Sequence, residues 1–514
     1  MKQITTAEAT LERPLVSQRA LHYALLGLVL LLGAALRLYQ LGAESYWVDE
    51  VALLELLGKG RAVIVTDFVE NGRPPVYVWL AYGWVSLLGT SEAATRFLSA
   101  LCGIAALPLL YIVGAELFNR RVGLLATLIM ALAELQITHA QNFRYYSLMV
   151  LLTLVSFLCY YRALRSGRLA YQLAWVVASL LLFYTHYFGV FVFPAQTLHL
   201  LTQWRRVRHR WASWLIAEVV LYTAPAIQLV RPLVQRTVVE GGAPPGPSWL
   251  PAPSAMDMVW TLRHYTLPDS YKETALLATV LLVVGLSAFW LVRGPAGLPA
   301  SLRGVADDLA GLLTRRSASA LLMLWLLCPI VLPFVLSLVI RPMYMTRYTL
   351  SAAPAFYLLL ACAIVGFRRL MPVALSVSVL AVLIVPGLYR YYVGPYYEQW
   401  RESAAYVTAS AQPGDTVIIA PDGDEESWYW YYRGKAPQCA EGERLRTVET
   451  VVAALAQCGA QHERVWLLWR DTAFPPGAND EFNRVLGDEP ESPVRLEESH
   501  DFTGLYLYLV SGGG

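Results

Sequence analysis

The sequence predicts a polytopic α-helical membrane protein of about eleven transmembrane helices, followed by a small soluble α/β domain. Three observations carry this: a deficit of charge, a series of apolar stretches of membrane-crossing length, and basic clusters that fall on one side of the resulting topology. Of the 514 residues, 56% are hydrophobic and 15% charged, whereas soluble domains run to about 25% charged. The net charge of +2 says little; the placement of the charges says more.

A helix crosses a bilayer with roughly 20 mostly apolar residues. Residues 321–340, 348–367 and 370–389 meet this without a single charge. Weaker or shorter candidates are 21–39, 97–117, 122–138, 145–161, 169–185, 187–203, 211–230 and 274–292. The first has no convincing small-x-small cleavage site after it and runs into Arg37, so it reads as a retained span and not a signal peptide.

Basic clusters occur at "LERPLVSQR", "FNRR" (118–121), "RALRSGR" (162–168), "WRRVRHR" (204–210), Arg293 to Arg316, and "FRR" (367–369). With the N-terminus inside, eleven spans place every cluster on the cytoplasmic side, as the positive-inside rule asks. The topology forces "PPVYVWLAYGWVSLLG" (74–89) to be an interfacial or re-entrant helix. The expected organisation is a cytoplasmic segment 1–20, a transmembrane domain 21–391 with outer loops 40–95 and 231–272, and an extracytoplasmic domain 392–514. In the last, "WRESAAYVTASA" and "TVETVVAALAQCGA" read as helices, while "DTVIIA", "RVWLLWR" and "GLYLYLV" read as strands. Cys439 and Cys458 share this outer segment, where an oxidising compartment permits a disulfide; free buried thiols are the alternative. With no organelle signal, a prokaryotic inner (plasma) membrane is the expected location.

Every polar cluster of interest falls on the outer side. Asp49 and Glu50 lie in "SYWVDEVALL", Arg73 in "ENGRPP", and His139, Gln141, Asn142, Arg144 and Tyr146 in "HAQNFRYY". His186 and Tyr187 lie in "YTHYF", Arg347 and Tyr348 in "RPMYMTRY". The plain alternatives are that Arg and His anchor the helices at the headgroups and that the two acids favour a helix start. Glu134 and Glu218 read as structural acids within spans. Taken together, though, the outer groups form the inventory for transfer from a phosphate-activated lipid donor. Such a reaction needs a base for the acceptor, fixed cations or a metal for the leaving phosphate, and an apolar groove for the tail. Asp49 fits the base, and Arg73, Arg144 and Arg347 fit the phosphate.

"SYWVDEVALL" resembles the first-loop acidic motif of the GT-C membrane glycosyltransferases, in the branch of protein O-mannosyltransferases and lipid A aminoarabinose transferases. The stretch from "NGRPPVYVWL" onward, "ITHAQNFRYYSLMVLL", "LFYTHYFGVFV" and "RPMYMTRYTL" are similar to later segments of the same proteins, over about residues 20–400. The resemblance implies a GT-C fold, a polyprenyl-phosphate sugar donor, and inverting transfer on the outer face. It also implies catalytic roles for Asp49 and Glu50 and a phosphate contact for Arg73. His139, Gln141, Asn142, Tyr146, His186, Tyr187 and Tyr348 would shape the sugar pocket. Many relatives carry a second acid in the second outer loop; here His139, Gln141, Asn142 and Arg144 stand there. No cofactor is therefore certain, and a divalent metal, if used, would sit at Asp49. The competing readings are a lipid-linked sugar transporter or flippase and an oligosaccharide ligase or polymerase of similar fold. Neither the sugar nor the acceptor (protein, lipid or glycan) is written in these residues.

Overall fold

The computed structural model describes residues 18–70, 72–234, 250–267, 317–367, 370–421, 423, 425–475, 477–487 and 494–512. Ten of the eleven expected spans fall on described helices; the eighth, 274–292, lies outside the described residues. In chain order the first helices are α1 (Gln18–Leu38), α2 (Val48–Gly58), α3 (Arg61–Glu70), α4 (Pro75–Leu88), α5 (Glu92–Leu117), α6 (Arg120–Leu132) and α7 (Glu134–Ala140). They are followed by α8 (Tyr146–Ser166), α9 (Leu169–Thr185), α10 (Val192–Thr202), α11 (Trp204–Val207), α12 (Trp211–Val234) and α13 (Ala255–His264). Then come α14 (Ser317–Val339), α15 (Ala353–Val365) and α16 (Leu370–Val393). Among the described residues, seven helices are long and apolar enough to cross a membrane, or eight if α6 and α7 count as one bent span. This is a multi-pass membrane protein.

The segment between α1 and α5 is folded. Helices α2, α3 and α4 bury their own cluster of Tyr46, Val51, Leu54, Ile64, Tyr77 and Ala81 against Leu98 and Phe143. Helix α4 has 14 residues, about 21 Å at 1.5 Å per residue, too short for a hydrocarbon core of about 30 Å. Its Pro75 sits in the first turn, where the missing N–H costs nothing.

The expected span 122–138 is broken. Helices α6 and α7 meet at 64° across Ala133, with neither Gly nor Pro at the break. A buried arginine satisfies the carbonyls that the break leaves open. Arg37, fully buried in α1, donates to Met130 O at 3.1 Å and Ala131 O at 3.2 Å. Gly33 and Gly103 leave the room its side chain occupies, since a Cβ on Gly103 would lie 3.2 Å from Arg37 Nε. The converse cap comes from Gln141, whose Nε2 donates to Leu36 O, Arg37 O and Tyr39 O at the end of α1 (3.2, 3.3 and 2.7 Å). Each helix end thus receives from the other chain segment the donors that its last turn lacks.

The C-terminal domain contains α17 (Trp400–Ser410), β1 (Thr416–Ala420), α18 (Glu425–Tyr431), α19 (Val448–Gly459), β2 (Arg464–Arg470), α20 (Ala478–Gly487), β3 (Val494–Phe502) and β4 (Leu505–Gly512). Its sheet runs β1-β2-β4-β3, with β1 parallel to β2 and the other pairs antiparallel. Apolar layers cover both faces, which is why "TVIIA" and "RVWLLWR" are apolar without alternation. Sequence reading missed β3, whose alternating polar face resembles a surface segment. Cys439 and Cys458 are joined in a disulfide.

The domain is tied to the segment between α1 and α5. Ser45 Oγ donates to Glu398 O at 2.6 Å, Tyr46 N–H to the Tyr431 hydroxyl at 2.7 Å, and that hydroxyl to Glu92 Oε1 at 2.9 Å. Arg401 reaches the same Glu92 oxygen at 3.3 Å. The residues just after α16 are thereby held against the start of α2.

Candidate functional site

Helix α2 begins at Trp47, and Glu50, at the third position, reaches back to the Trp47 amide at 3.3 Å. The expectation that acids mark a helix start is met in this way, yet the two acids are then used differently. Glu50 is fully buried. Its oxygens accept from Arg96 Nε at 3.0 Å, Arg96 Nη2 at 2.7 Å and the Phe143 amide at 2.6 Å. Beyond the Trp47 cap, its oxygens join α2 to α5 and to the loop after α7. Asp49, one residue earlier, keeps 36% of its side chain exposed. Arg144 holds it from the second loop: Nη1 donates to Asp49 O at 2.8 Å and Nη2 lies 3.9 Å from Asp49 Oδ2.

Beside this pair lies a cavity of about 360 Å³. Trp47 roofs it, Glu134, Thr138, His139 and Asn142 form one wall, and Arg347, His264, Tyr396 and Tyr397 contribute to the rest. The α6–α7 break creates the first wall. Glu134, Thr138 and His139 stand at i, i+4 and i+5, on one face of α7. On the opposite side, Arg347 lies 5.7 Å from the Trp47 ring and 5.7 Å from the Tyr348 ring. Trp47 in turn stacks on Tyr397.

The wall is rich in polar atoms that the protein itself does not satisfy. Trp47 Nε1, Thr138 Oγ1, both ring nitrogens of His139 and Arg347 Nε are buried without a hydrogen-bond partner among the described residues. Native interiors leave only a few such atoms per hundred residues. Their concentration around one cavity marks a place where a polar ligand or ordered water completes the bonding.

An aromatic layer backs the cavity. The His139 ring lies 4.4 Å from Tyr146, and the His186 ring 4.7 Å from Tyr145 and 5.0 Å from Tyr348. Burial, and then the neighbouring Arg144 and Arg347, push the His186 imidazole down to about 3. It is neutral at ordinary pH and does not add to the positive charge. Burial opposes charge on Arg144 also, but the surrounding Tyr145, Asp49 and Tyr146 outweigh it and hold the guanidinium above its usual range. Arg144 and Arg347 are thus fixed cations close enough to Asp49 to interact with its charge.

The remaining sequence candidates lie elsewhere. Gln141 caps α1 and accepts from Tyr391 at 2.7 Å, so its amide faces the bundle. The Tyr187 hydroxyl donates to Gly72 O and accepts from Gln228 at 3.1 Å, tying the first loop to α12. Arg73, next to Gly72, pairs with Asp67 at 2.6 Å and is 47% exposed; it does not line the cavity. Sequence reading passed over Thr138 and His264, placed Tyr396 and Tyr397 only within the outer cluster "YYEQWRE" (396–402), and gave Glu134 a structural role. The i, i+4, i+5 spacing on α7 was the available signal for Thr138, but only the bend gives it a cavity to face. Among the described residues no three His, Cys, Asp or Glu side chains converge as a metal-holding group.

Residues 72–228 match the family model of dolichyl-phosphate-mannose-protein mannosyltransferases. No curated protein matches the chain in sequence. Among solved structures, ArnT from Cupriavidus metallidurans in the apo state is similar with a TM-score of 0.53 at 14% identity. ArnT from the same organism bound to undecaprenyl phosphate is similar with a TM-score of 0.54 at 11% identity. Both matches cover 96% of this chain and 98% of the other. The chain has the GT-C fold.

Proposed function

We propose that this chain, built on the GT-C glycosyltransferase fold, moves a sugar from a polyprenyl-phosphate donor to an acceptor at the outer face of a cell's inner membrane. The observation that carries the reading is the cavity beside Asp49, with unsatisfied polar atoms on its wall and two fixed guanidiniums nearby. The solved relative bound to undecaprenyl phosphate supports the donor class.

In this reading Arg347, inside the cavity, and Arg144, beside it, face the donor phosphate. A guanidinium fork matches phosphate oxygens and stabilises the charge that grows as the bond from the anomeric carbon to the phosphate oxygen breaks. Asp49 takes the proton from the acceptor hydroxyl or amine. The freed lone pair attacks the anomeric carbon from the face opposite the phosphate, so the configuration inverts. The phosphate leaves as an anion and needs no acid. Of the adjacent acids, Asp49 has the exposure and free oxygens for this, whereas Glu50 positions it through Arg96 and Phe143. His139, Asn142, Thr138 and Glu134 would contact sugar hydroxyls.

The positive-inside reading of the basic clusters supports an outer position for this site. The test is turnover of a short-chain polyprenyl-phosphate sugar with a panel of acceptors. Asp49→Asn should bind the donor as wild type does and lose transfer by about 10²–10⁴-fold, the range of general-base catalysis. Full transfer by a stably folded Asp49→Asn protein would overturn the assignment.

A further inference from the structure

We propose that the end of the bundle opposite the cavity carries a second site, which holds the phosphate of an anionic phospholipid between the α8–α9 turn and the start of α12. Helix α8 leaves the cavity side at Tyr146 and ends at Ser166, and α9 returns to His186. The turn between them is therefore on the far face. It lines a pocket of about 730 Å³ made by Ser166, Gly167, Arg168, Leu169, Ala170, Gln172, Arg210 and Ser213.

Charge in the stretch of chain that builds the pocket is one-sided. No Asp or Glu occurs between Glu134 and Glu218. Arg162 is claimed by Glu116 at 2.5 Å. Arg165, Arg168, Arg205, Arg206, Arg208 and Arg210 have no carboxylate partner among the described residues. A general excess of cations at a cytoplasmic face is ordinary. The pocket differs because its cations are placed. Gly167 has φ +63°, and a Cβ there would come within 2.8 Å of Arg210 Nη1. The Arg210 guanidinium thus lies across a bare glycine, beside Arg168. Gln172 Nε2 closes the floor by donating to Ser213 O at 2.9 Å. Helix α9 starts with no side-chain cap, and while the Tyr171 and Gln172 amides bond to Arg168 O, those of Leu169 and Ala170 stay open at the pocket.

The surroundings fit a lipid better than a free phosphate. Leu169, Leu173, Val177 and Leu181 are all exposed at four-residue spacing along α9. The stripe begins in the pocket and runs about 18 Å, close to the thickness of one hydrocarbon leaflet, about 15 Å. Trp204 and Trp211, both exposed, flank the basic segment where the interface lies. Guanidiniums at the headgroup with an apolar track leading away match a phosphodiester carrying acyl chains.

The experiment is native mass spectrometry of the purified full chain, titrated separately with phosphatidylglycerol, phosphatidylcholine and glycerol 3-phosphate. Wild type should retain phosphatidylglycerol about tenfold or more tightly than phosphatidylcholine, and glycerol 3-phosphate should not be retained. Arg168→Gln with Arg210→Gln should lose about tenfold for phosphatidylglycerol. Gly167→Ala, which displaces Arg210 without removing charge, should lose part of that. Arg205→Gln with Arg206→Gln removes the same charge from the neighbouring segment and should change little. Equal losses in the two double variants would show a diffuse charge effect and overturn the proposal. So would equal retention of the two lipids, or retention of glycerol 3-phosphate as tightly as the lipid.

Discussion

Replacing Arg347 by Gln is expected to weaken binding of a short-chain polyprenyl-phosphate sugar by about 10- to 150-fold. The size follows from the surroundings of the guanidinium. It lines the cavity, faces Trp47 and Tyr348, and has a buried Nε without a partner. A hydrogen bond to a charged group contributes about 1.5–3 kcal/mol, and each 1.4 kcal/mol is about tenfold in affinity. Gln keeps a polar tip, two bonds shorter, and removes the charge from a side chain that only partly fills the cavity wall, so the melting temperature should stay close to wild type. The comparison is Arg73→Gln. That side chain is 47% exposed and already paired with Asp67, and an exposed pair contributes about 0–1 kcal/mol. Its loss should change donor affinity by about fivefold or less. Calorimetric titration of both purified variants decides. If Arg347→Gln binds as wild type, or Arg73→Gln loses more than Arg347→Gln, the cavity is not the phosphate site and the loop before α4 takes its place.

Three further outcomes are expected. Glu50→Gln strips the buried Arg96 of its counter-charge, and breaking a buried pair costs about 3–5 kcal/mol; thermal unfolding should fall sharply, while Asp49→Asn should barely move it. Serine at both Cys439 and Cys458 should remove about 3 kcal/mol of stability from the C-terminal domain, read by denaturant titration, and wild type should show no free thiol at these positions. Burial alone would raise the Asp415 carboxyl, but hydrogen bonds from Arg464, the Gln412 amide and Trp466 outweigh it and hold it below the usual carboxylate range. A depressed folded value means that this stabilisation is present above the ordinary Asp value of about 4 and is lost as pH falls through the lower one. Acid unfolding of the domain, followed by tryptophan fluorescence, should therefore move to lower dependence on pH in Asp415→Asn, with reduced stability at neutral pH.

Ten of the eleven expected apolar stretches, helix α4 and three of the four strands of the C-terminal domain are legible in the sequence because they rest on local properties, although only seven or eight of the described helices are long and apolar enough to cross a membrane. Transfer of apolar side chains out of water depends on each residue's own surface, so twenty in a row suffice to announce a span. One-sided charge then orders the spans. The same local signal puts Asp49, Asn142, His139 and Arg347 on one face of the membrane, and the structure gathers Asn142, His139 and Arg347 around one cavity with Asp49 beside it. It was blind to what each polar group does there. Asp49 and Glu50 are neighbours of the same chemistry, and only contacts from Arg96 and Phe143, 46 and 93 residues away, make one a buried clamp and leave the other open. Gln141 looked like its neighbours in the second loop, yet Tyr391, 250 residues distant, turns it into the bundle. No residue at Ala133 announces a bend. Arg37 makes it affordable from 94 residues away, and the bend aims Glu134, Thr138 and His139 at the cavity. Hydropathy and charge are carried by residues singly and survive in a one-dimensional reading. The burial and partnering of a single polar group are properties of pairs brought together by folding, and they decide which of the charged residues is free to act.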